Sequence, residues 1–535
     1  MAAEQEIFCR TEGEIHVLSS GTSSLETLHT HSGDSSGLVF SPDGTLFALT
    51  TPSGVAIHDT ASRTLRHALP SPGTLAASFS PDGRFLLTQA RPAKDVDQDR
   101  NLKLWGVEDG AVRLALHQKH FRREEWPAIR FGVRDALAYY QVTSAVHVYD
   151  TSNFSNGVTH RVPIKGVSSF APRPSGGGGA LLAAYCPEAK GSPASVGLYS
   201  AEPGADGTPI CRKNFFRSNS AQLLWSPSGC AVLALAASDV DATNQSYYGE
   251  QKLYFMASNG QNECAVQLPK EGPIHDVQWS PKGNFFLVVA GFMPAKVILF
   301  NSACVPKFDL GSGPFSMVRW NPFGRYFVLA GFGNLPGDLA FYDKKADGKC
   351  KPMGTTRAEN GVALEWSPCG HMVLVSTTAP RLRVDNGIQV FRADAARLAA
   401  RPYPILLQAA WRPAAPGSFS DAPLQTPGGA AGAEPALPPP PAVTGYVPPH
   451  LRGNPAAAAA ARSKFSLARD AEDRGGKITN GGVVGAPPAA ARMQPALPPG
   501  AEATPELSKA AAKNAKRRAA AAKKKAEEGL GKLAI

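Results

Sequence analysis

The chain has 535 residues, 43% apolar and 19% charged, so it is long and apolar enough to bury one large core or several. Its longest apolar runs, such as Phe285 to Met293, fall well short of the roughly 20 residues of a spanning helix, which excludes a helical membrane protein. The eight cysteines (9, 186, 211, 230, 264, 304, 350 and 369) lie too far apart for zinc-type pairs, and the expectation is buried free thiols in a cytosolic protein and no disulfide scaffold. The net charge of +11 is uneven, with nine basic and four acidic residues in the stretch 501–535 alone.

The opening, Met1 to Arg10, carries Glu4 and Glu6 and no apolar segment, unlike a secretory signal. Residues 6–10, Glu14 to Ser19 and Leu25 to His29 read as three short strands. Then comes Phe40-Ser-Pro-Asp-Gly44, an aromatic followed by a four-residue type I turn in which proline presets φ and glycine tolerates a positive one. The unit recurs as Phe79-Ser-Pro-Asp-Gly83, more weakly at Phe131 and Phe170, and then as Trp225-Ser-Pro-Ser-Gly229, Trp279-Ser-Pro-Lys-Gly283, Trp320-Asn-Pro-Phe-Gly324 and Trp366-Ser-Pro-Cys-Gly370, with a ninth anchor at Trp411. Apolar runs such as Asn284 to Val289 and Arg325 to Leu329 follow the turns and read as half-buried strands. Further short strands follow these, as in Val55 to Asp59, Val146 to Asp150 and Leu339 to Asp343.

The anchors recur about every 46 residues, the length of a four-stranded propeller blade. Trp411 is followed by proline-rich sequence, so the three N-terminal strands are needed to complete its blade. The predicted fold is therefore all-β, a WD40-type β-propeller of nine blades over 1–412, closed by its own N-terminal strands. Closure removes two sheet edges that would otherwise invite aggregation.

From 413 to 504 proline, glycine and alanine dominate, which predicts a disordered linker. Within it Tyr446, Val447, Leu451 and Arg452 of Tyr446-Val-Pro-Pro-His-Leu-Arg452 present one aromatic, two aliphatic and one basic group on a stiff backbone, a peptide ligand for a partner groove. Residues 505–535 predict a basic helical tail: Lys509, Lys513, Lys516, Arg517, Arg518, Lys523, Lys524 and Lys525 stand among alanines, with Ser508 placed to cap. It lacks the apolar stripe of a membrane-surface helix, so its expected partner is RNA.

Signs of catalysis are absent from the sequence. There is no G-x-x-x-x-G-K-[ST] loop, Gly176 to Gly179 lacks the lysine, and no serine sits in a G-x-S-x-G elbow. Asp239 to Glu250 has acids at three places of a calcium loop, yet Asn244 replaces its turn glycine; Asp95, Asp97 and Asp99 lack the closing glutamate. His29 and His31 fall on a predicted strand. The expectation is a non-enzyme with no cofactor and no metal.

Six stretches resemble the eukaryotic translation initiation factor 2A family: Ala237 to Asp241, Ser246 to Gln251, Val266 to Lys270, Gly291 to Lys296, Leu329 to Leu335 and Ala379 to Val384. The resemblance implies a cytoplasmic WD-repeat propeller that binds the small ribosomal subunit, initiator methionyl-tRNA and mRNA. Delivery would depend on the codon and not on GTP, in regulated or non-AUG initiation, with other initiation factors reached through the linker. The basic segment stops at Ile535, short of the longer charged extension associated with animal members. The propeller subunit of initiation factor 3 is expected to differ by an RNA-recognition domain before its ring. A WD-repeat scaffold in another protein or ribonucleoprotein complex is the alternative. Among loop cations, Lys270, Arg381 and Arg383 are candidates for RNA contact.

Overall fold

The computed structural model describes residues 5–20, 25–93, 99–176, 179–189, 191–215, 218–238 and 249–424. The linker motif, the basic tail and nearly all of the calcium-like loop lie outside the described residues. Thirty-six strands form nine four-stranded antiparallel sheets, and no α-helix occurs among the described residues. Blades 1 to 8 span 37–70, 74–116, 129–163, 169–215, 220–265, 274–313, 317–357 and 363–402. The ninth joins Gln408–Trp411 to the strands Glu6–Arg10, Glu14–Ser20 and Leu25–Ser32. The nine-bladed propeller is as expected, N-terminal closure included.

Each anchor lies on the innermost strand of its blade, and at every position but Phe170 it is the last residue of that strand. The turn that follows is held from within. The serine or asparagine accepts the N–H five residues on, at 2.9 Å for Ser41 with Leu46, 3.2 Å for Ser280 with Phe285 and 3.0 Å for Asn321 with Tyr326. Its carbonyl accepts the turn glycine's N–H, and those glycines have φ between 68° and 74°. Where the anchor is tryptophan, its indole N–H also reaches back one blade. Trp225 donates to Ala171 O (2.9 Å), Trp279 to Leu224 O (3.0 Å), Trp320 to Gln278 O (3.3 Å), Trp366 to Arg319 O (2.9 Å) and Trp411 to Glu365 O (3.3 Å).

The second strands differ from the half-buried expectation. Phe285–Ala290 and Tyr326–Ala330 are buried at every position. Phe286, Val288 and Ala290 pack against blade 5, while Phe285, Leu287 and Val289 pack against blade 7. Both faces of a blade are covered by its neighbours, so the period-2 pattern sorts residues between two cores and not between core and water. Among the described residues such apolar clusters occupy all nine interfaces. The thiols also depart from expectation: Cys9 and Cys350 are buried, Cys230 is exposed and the others lie between.

The ring closes by an antiparallel ladder pairing Ile7 with Trp411 and Arg10 with Gln408. Ile7 and Cys9 face blade 8, and Phe8 faces blade 1. The Gln408 side chain accepts from Leu38 N–H (3.3 Å) and donates to Leu38 O (2.8 Å), tying the ninth inner strand to the first. Glu6 holds both Arg412, at 2.9 Å, and Arg63. At this seam His31 of blade 9 packs edge-on against His58 of blade 1 (4.9 Å), and His58 stacks on Phe47 (5.0 Å). The strand thus turns His31 into a packing contact.

Two outcomes follow for the seam. Trp411→Ala should lower the unfolding free energy by about 3–5 kcal/mol, as for a fully buried tryptophan, when measured by urea denaturation. Burial holds both His31 and His58 below the ordinary value of 6.5, with His29 adding to the effect at His31 and His31 at His58. The unfolded chain therefore takes up more protons as pH falls below about 6.5, and stability should decline there. His58→Phe should flatten that dependence in melts taken between pH 5 and 7.5.

Candidate nucleic-acid interface

An antiparallel blade places its first-to-second and third-to-fourth turns at one end. All the proline–glycine turns therefore share a face with the outer hairpins, here called the turn face; the loops between blades lie on the opposite, loop face. The eight tail residues and the four of the linker motif lie outside the described residues. Of the loop cations expected to contact RNA, Lys270 is engaged with its own chain, its Nζ donating to Pro294 O at 2.5 Å, while Arg381 and Arg383 stay exposed on the loop face.

A cationic surface lies instead on the turn face of blades 6 and 7. The third and outer strands of blade 7, Asp338–Lys344 and Cys350–Arg357, are joined by a tight hairpin closed by Gly348 N–H to Lys345 O (3.0 Å) and Lys345 N–H to Lys349 O (2.8 Å). Its sequence, Lys344-Lys-Ala-Asp-Gly-Lys-Cys-Lys351, puts four lysines in eight positions. Lys282, on the Trp279 turn, and Lys307, on the outer strand of blade 6, adjoin it, and so does Arg325. Seven cations thus meet Asp343, Asp347 and Asp421.

Two of those acids are already engaged. Asp343 accepts from Lys345 at 2.6 Å and Arg325 at 3.4 Å, and Asp347 pairs with Lys349 at 3.3 Å. Among the described residues Lys282, Lys307, Lys344 and Lys351 have no carboxylate within 4 Å. Lys344 is only 9% exposed, its ammonium 4.4 Å from the centre of the Phe285 ring. Burial lowers its pKa, and the nearby Lys282 ammonium pushes the same way. A phosphate here would add to the partial countercharge of Asp343 and Asp421. Sequence reading missed this patch because its lysines are separated by strands; the K-K-x-x-x-K-x-K spacing of one hairpin was the available signal.

Beyond Trp411 the chain runs along the same face. Arg412 Nε donates to Gly44 O (2.9 Å), His371 Nε2 to Ala422 O (2.8 Å) and Leu424 N–H to the Tyr326 hydroxyl (3.1 Å). Residues 413–424, expected as linker, lie against the ring and bring Asp421 near Arg325 and Lys344.

A family profile described as "Eukaryotic translation initiation factor eIF2A" matches residues 213–409, which include this patch. The chain is 36% identical over 376 residues to the eukaryotic translation initiation factor 2A of Schizosaccharomyces pombe, and a solved structure titled "Crystal structure of the eukaryotic initiation factor" is 31% identical with a TM-score of 0.70. The chain belongs to the eukaryotic translation initiation factor 2A family. The match to the solved structure covers 78% of this chain and all of that one. The Dictyostelium discoideum initiation factor 2A is 30% identical. The two curated relatives align with 70% and 72% of this chain, which spans 64% and 62% of their lengths.

In this initiation factor 2A family member, Lys344→Met retains the stem against Phe285 and removes the charge. Unfolding free energy should stay within about 1 kcal/mol of the parent, because relief of desolvation offsets the lost cation–π contact. Heparin or ribosomal RNA affinity should fall. A purely structural lysine would give the reverse pattern in urea denaturation and filter binding.

Proposed function

We propose that this protein acts in the cytoplasm as a translation initiation factor. It binds the small ribosomal subunit and initiator methionyl-tRNA, in a codon-dependent and GTP-independent way, during regulated or non-AUG initiation. Family membership supports the process, and the single observation that carries the RNA contact is the turn-face patch with four lysines lacking carboxylate partners. Phosphates of tRNA or ribosomal RNA neutralise Lys282, Lys307, Lys344 and the hairpin Lys345, Lys349 and Lys351. The tail cations Lys509, Lys513, Lys516, Arg517, Arg518 and Lys523 to Lys525 add a second, sequence-independent attraction. The linker residues Tyr446, Val447, Leu451 and Arg452 recruit another initiation factor.

The sequence offers no phosphate-cradling loop, which supports an adaptor with no nucleotide turnover and no enzymatic role. The alternative, a WD-repeat scaffold within another complex, would need no exposed polyanion site.

Co-sedimentation with purified small ribosomal subunits over a salt series tests this. The parent should sediment with subunits, and each phosphate contact removed should lower the log–log salt slope by about 0.7–0.9. The triple variant Lys345→Glu, Lys349→Glu, Lys351→Glu and a deletion of 505–535 should each weaken binding and flatten the slope. A parent protein that never shifts with subunits would favour the scaffold.

A further inference from the structure

On the loop face, well away from the lysine patch, blades 2 to 4 surround a cleft roofed by the connection 117–128. That connection is pinned at several points. Gln118 N–H donates to Asn101 Oδ1 (2.9 Å), Asn101 Nδ2 returns a bond to Gln118 O (3.0 Å), and Gln89 Nε2 donates to His120 O (3.3 Å). From below, Arg130 Nε donates to Pro127 O (3.3 Å), and its Nη1 donates to Phe170 O. The Tyr140 hydroxyl donates to Gln118 Oε1 (2.7 Å), and Gln141 Nε2 to Val167 O (3.1 Å).

The composition of this cleft is unusual for a protein-docking site. Its lining includes Trp126, Tyr140 and Gln141, the cations Arg122 and Arg130 and the acids Glu124 and Glu125; Ala128 is the one aliphatic residue lining it. A peptide side chain such as leucine finds little apolar surface there. A planar ring with a hydrogen-bonding edge finds the Trp126 ring together with Gln141, whose Oε1 has no donor among the described residues. Phe170 is buried under the Arg130 guanidinium, and the Gln118 amide is already bonded to the Tyr140 hydroxyl and to His120 O. Trp126 is half-buried and tilted against Phe121, with ring centres 5.9 Å apart, and among the described residues nothing accepts its indole N–H. Along the connection Lys119, Arg122 and Arg123 are exposed, and of these Arg122, which lines the cleft, alone has a carboxylate partner, Glu125 at 2.8 Å. Glu124 and Glu125 also stand exposed and line the cleft, so its own charge is balanced and the connection as a whole is only weakly cationic.

We propose that this cleft holds an unpaired nucleobase of single-stranded RNA. The base stacks on Trp126, its edge meets the Gln141 amide, and the adjoining phosphates run past Arg122. This rests on the RNA-binding reading above but assigns a different surface and a different kind of contact. The lysine patch and the tail read phosphates alone; the cleft reads a base.

The test uses the full-length chain and two fluorescein-labelled probes of equal charge, hexauridylate and an abasic hexamer with the same phosphates. Anisotropy should show about tenfold tighter binding of the base-carrying probe, as for one stacked base. Trp126→Ala should erase that preference, Trp126→Phe should keep it, and Arg122→Ala, at an exposed position, should weaken both probes alike. If Trp126→Ala melts early, crosslinking of 4-thiouridine RNA to the parent decides instead, with adducts expected within 117–130. Equal affinity for the two probes, a preference that survives Trp126→Ala in a folded protein, or crosslinks only elsewhere would overturn the assignment. Co-sedimentation of Trp126→Ala with small subunits separates this from the initiation reading. Subunit binding retained with base preference lost supports both; a parent that never binds subunits yet prefers hexauridylate removes only the initiation reading.

Discussion

Everything in this molecule depends on a blade being unable to bury itself. A four-stranded sheet has two faces, and in the second strands here both are apolar, as Phe285–Ala290 illustrates by sending alternate residues into two different cores. Such a sheet is satisfied only when flanked on both sides, and only a closed ring flanks every member. The short ladder from Ile7 to Arg10 against Gln408 to Trp411 therefore matters beyond its four residue pairs. It completes a ninth blade whose two faces cover blades 8 and 1, and it joins the ends of the described ring through the side chains of Glu6, Arg412 and Gln408.

The repeated signature is the local expression of that constraint. Its serine or asparagine is buried because it accepts from its own hairpin, and its glycine is there because φ is positive. The tryptophans at blades 5 to 9 serve two masters: the ring fills an interface and the indole N–H reaches the carbonyl of the blade before. Phenylalanine at Phe40, Phe79, Phe131 and Phe170 can do only the first. At Phe131 the proline–glycine turn gives way to a short 3-10 turn in which Arg134 and Asp135 take positive φ.

A rigid ring also separates chemistry by face. The turn face collects cations because outer hairpins and proline–glycine turns end there, and loops of neighbouring blades pool their charges without sharing a core. The loop face carries the longer connections, and one of them, 117–128, forms a pinned roof over polar residues drawn from three blades. One face offers countercharge for phosphates and the other a slot for a flat ring. The ring contributes stiffness to both, since side chains on strands hold their spacing better than those on free loops.

Repeat length, turn chemistry, aromatic anchors and the need for three N-terminal strands were all legible in the sequence, since they rest on interactions within a few residues or on a fixed period. The family could be read from ordered motifs for the same reason. The sites were not. Lys344 to Lys351 form a local hairpin pattern, but Lys282, Lys307 and Arg325 join them from elsewhere in blades 6 and 7, and Gln89, Trp126, Tyr140 and Phe170 come from three more blades and the connection between them, so neither full group is a local pattern. The apolar alternation pointed to strands but could not say that both of their faces were covered, nor that His31 would meet His58. Those outcomes depend on which blades become neighbours and how far each strand is tilted. Only packing between residues distant in the chain decides that.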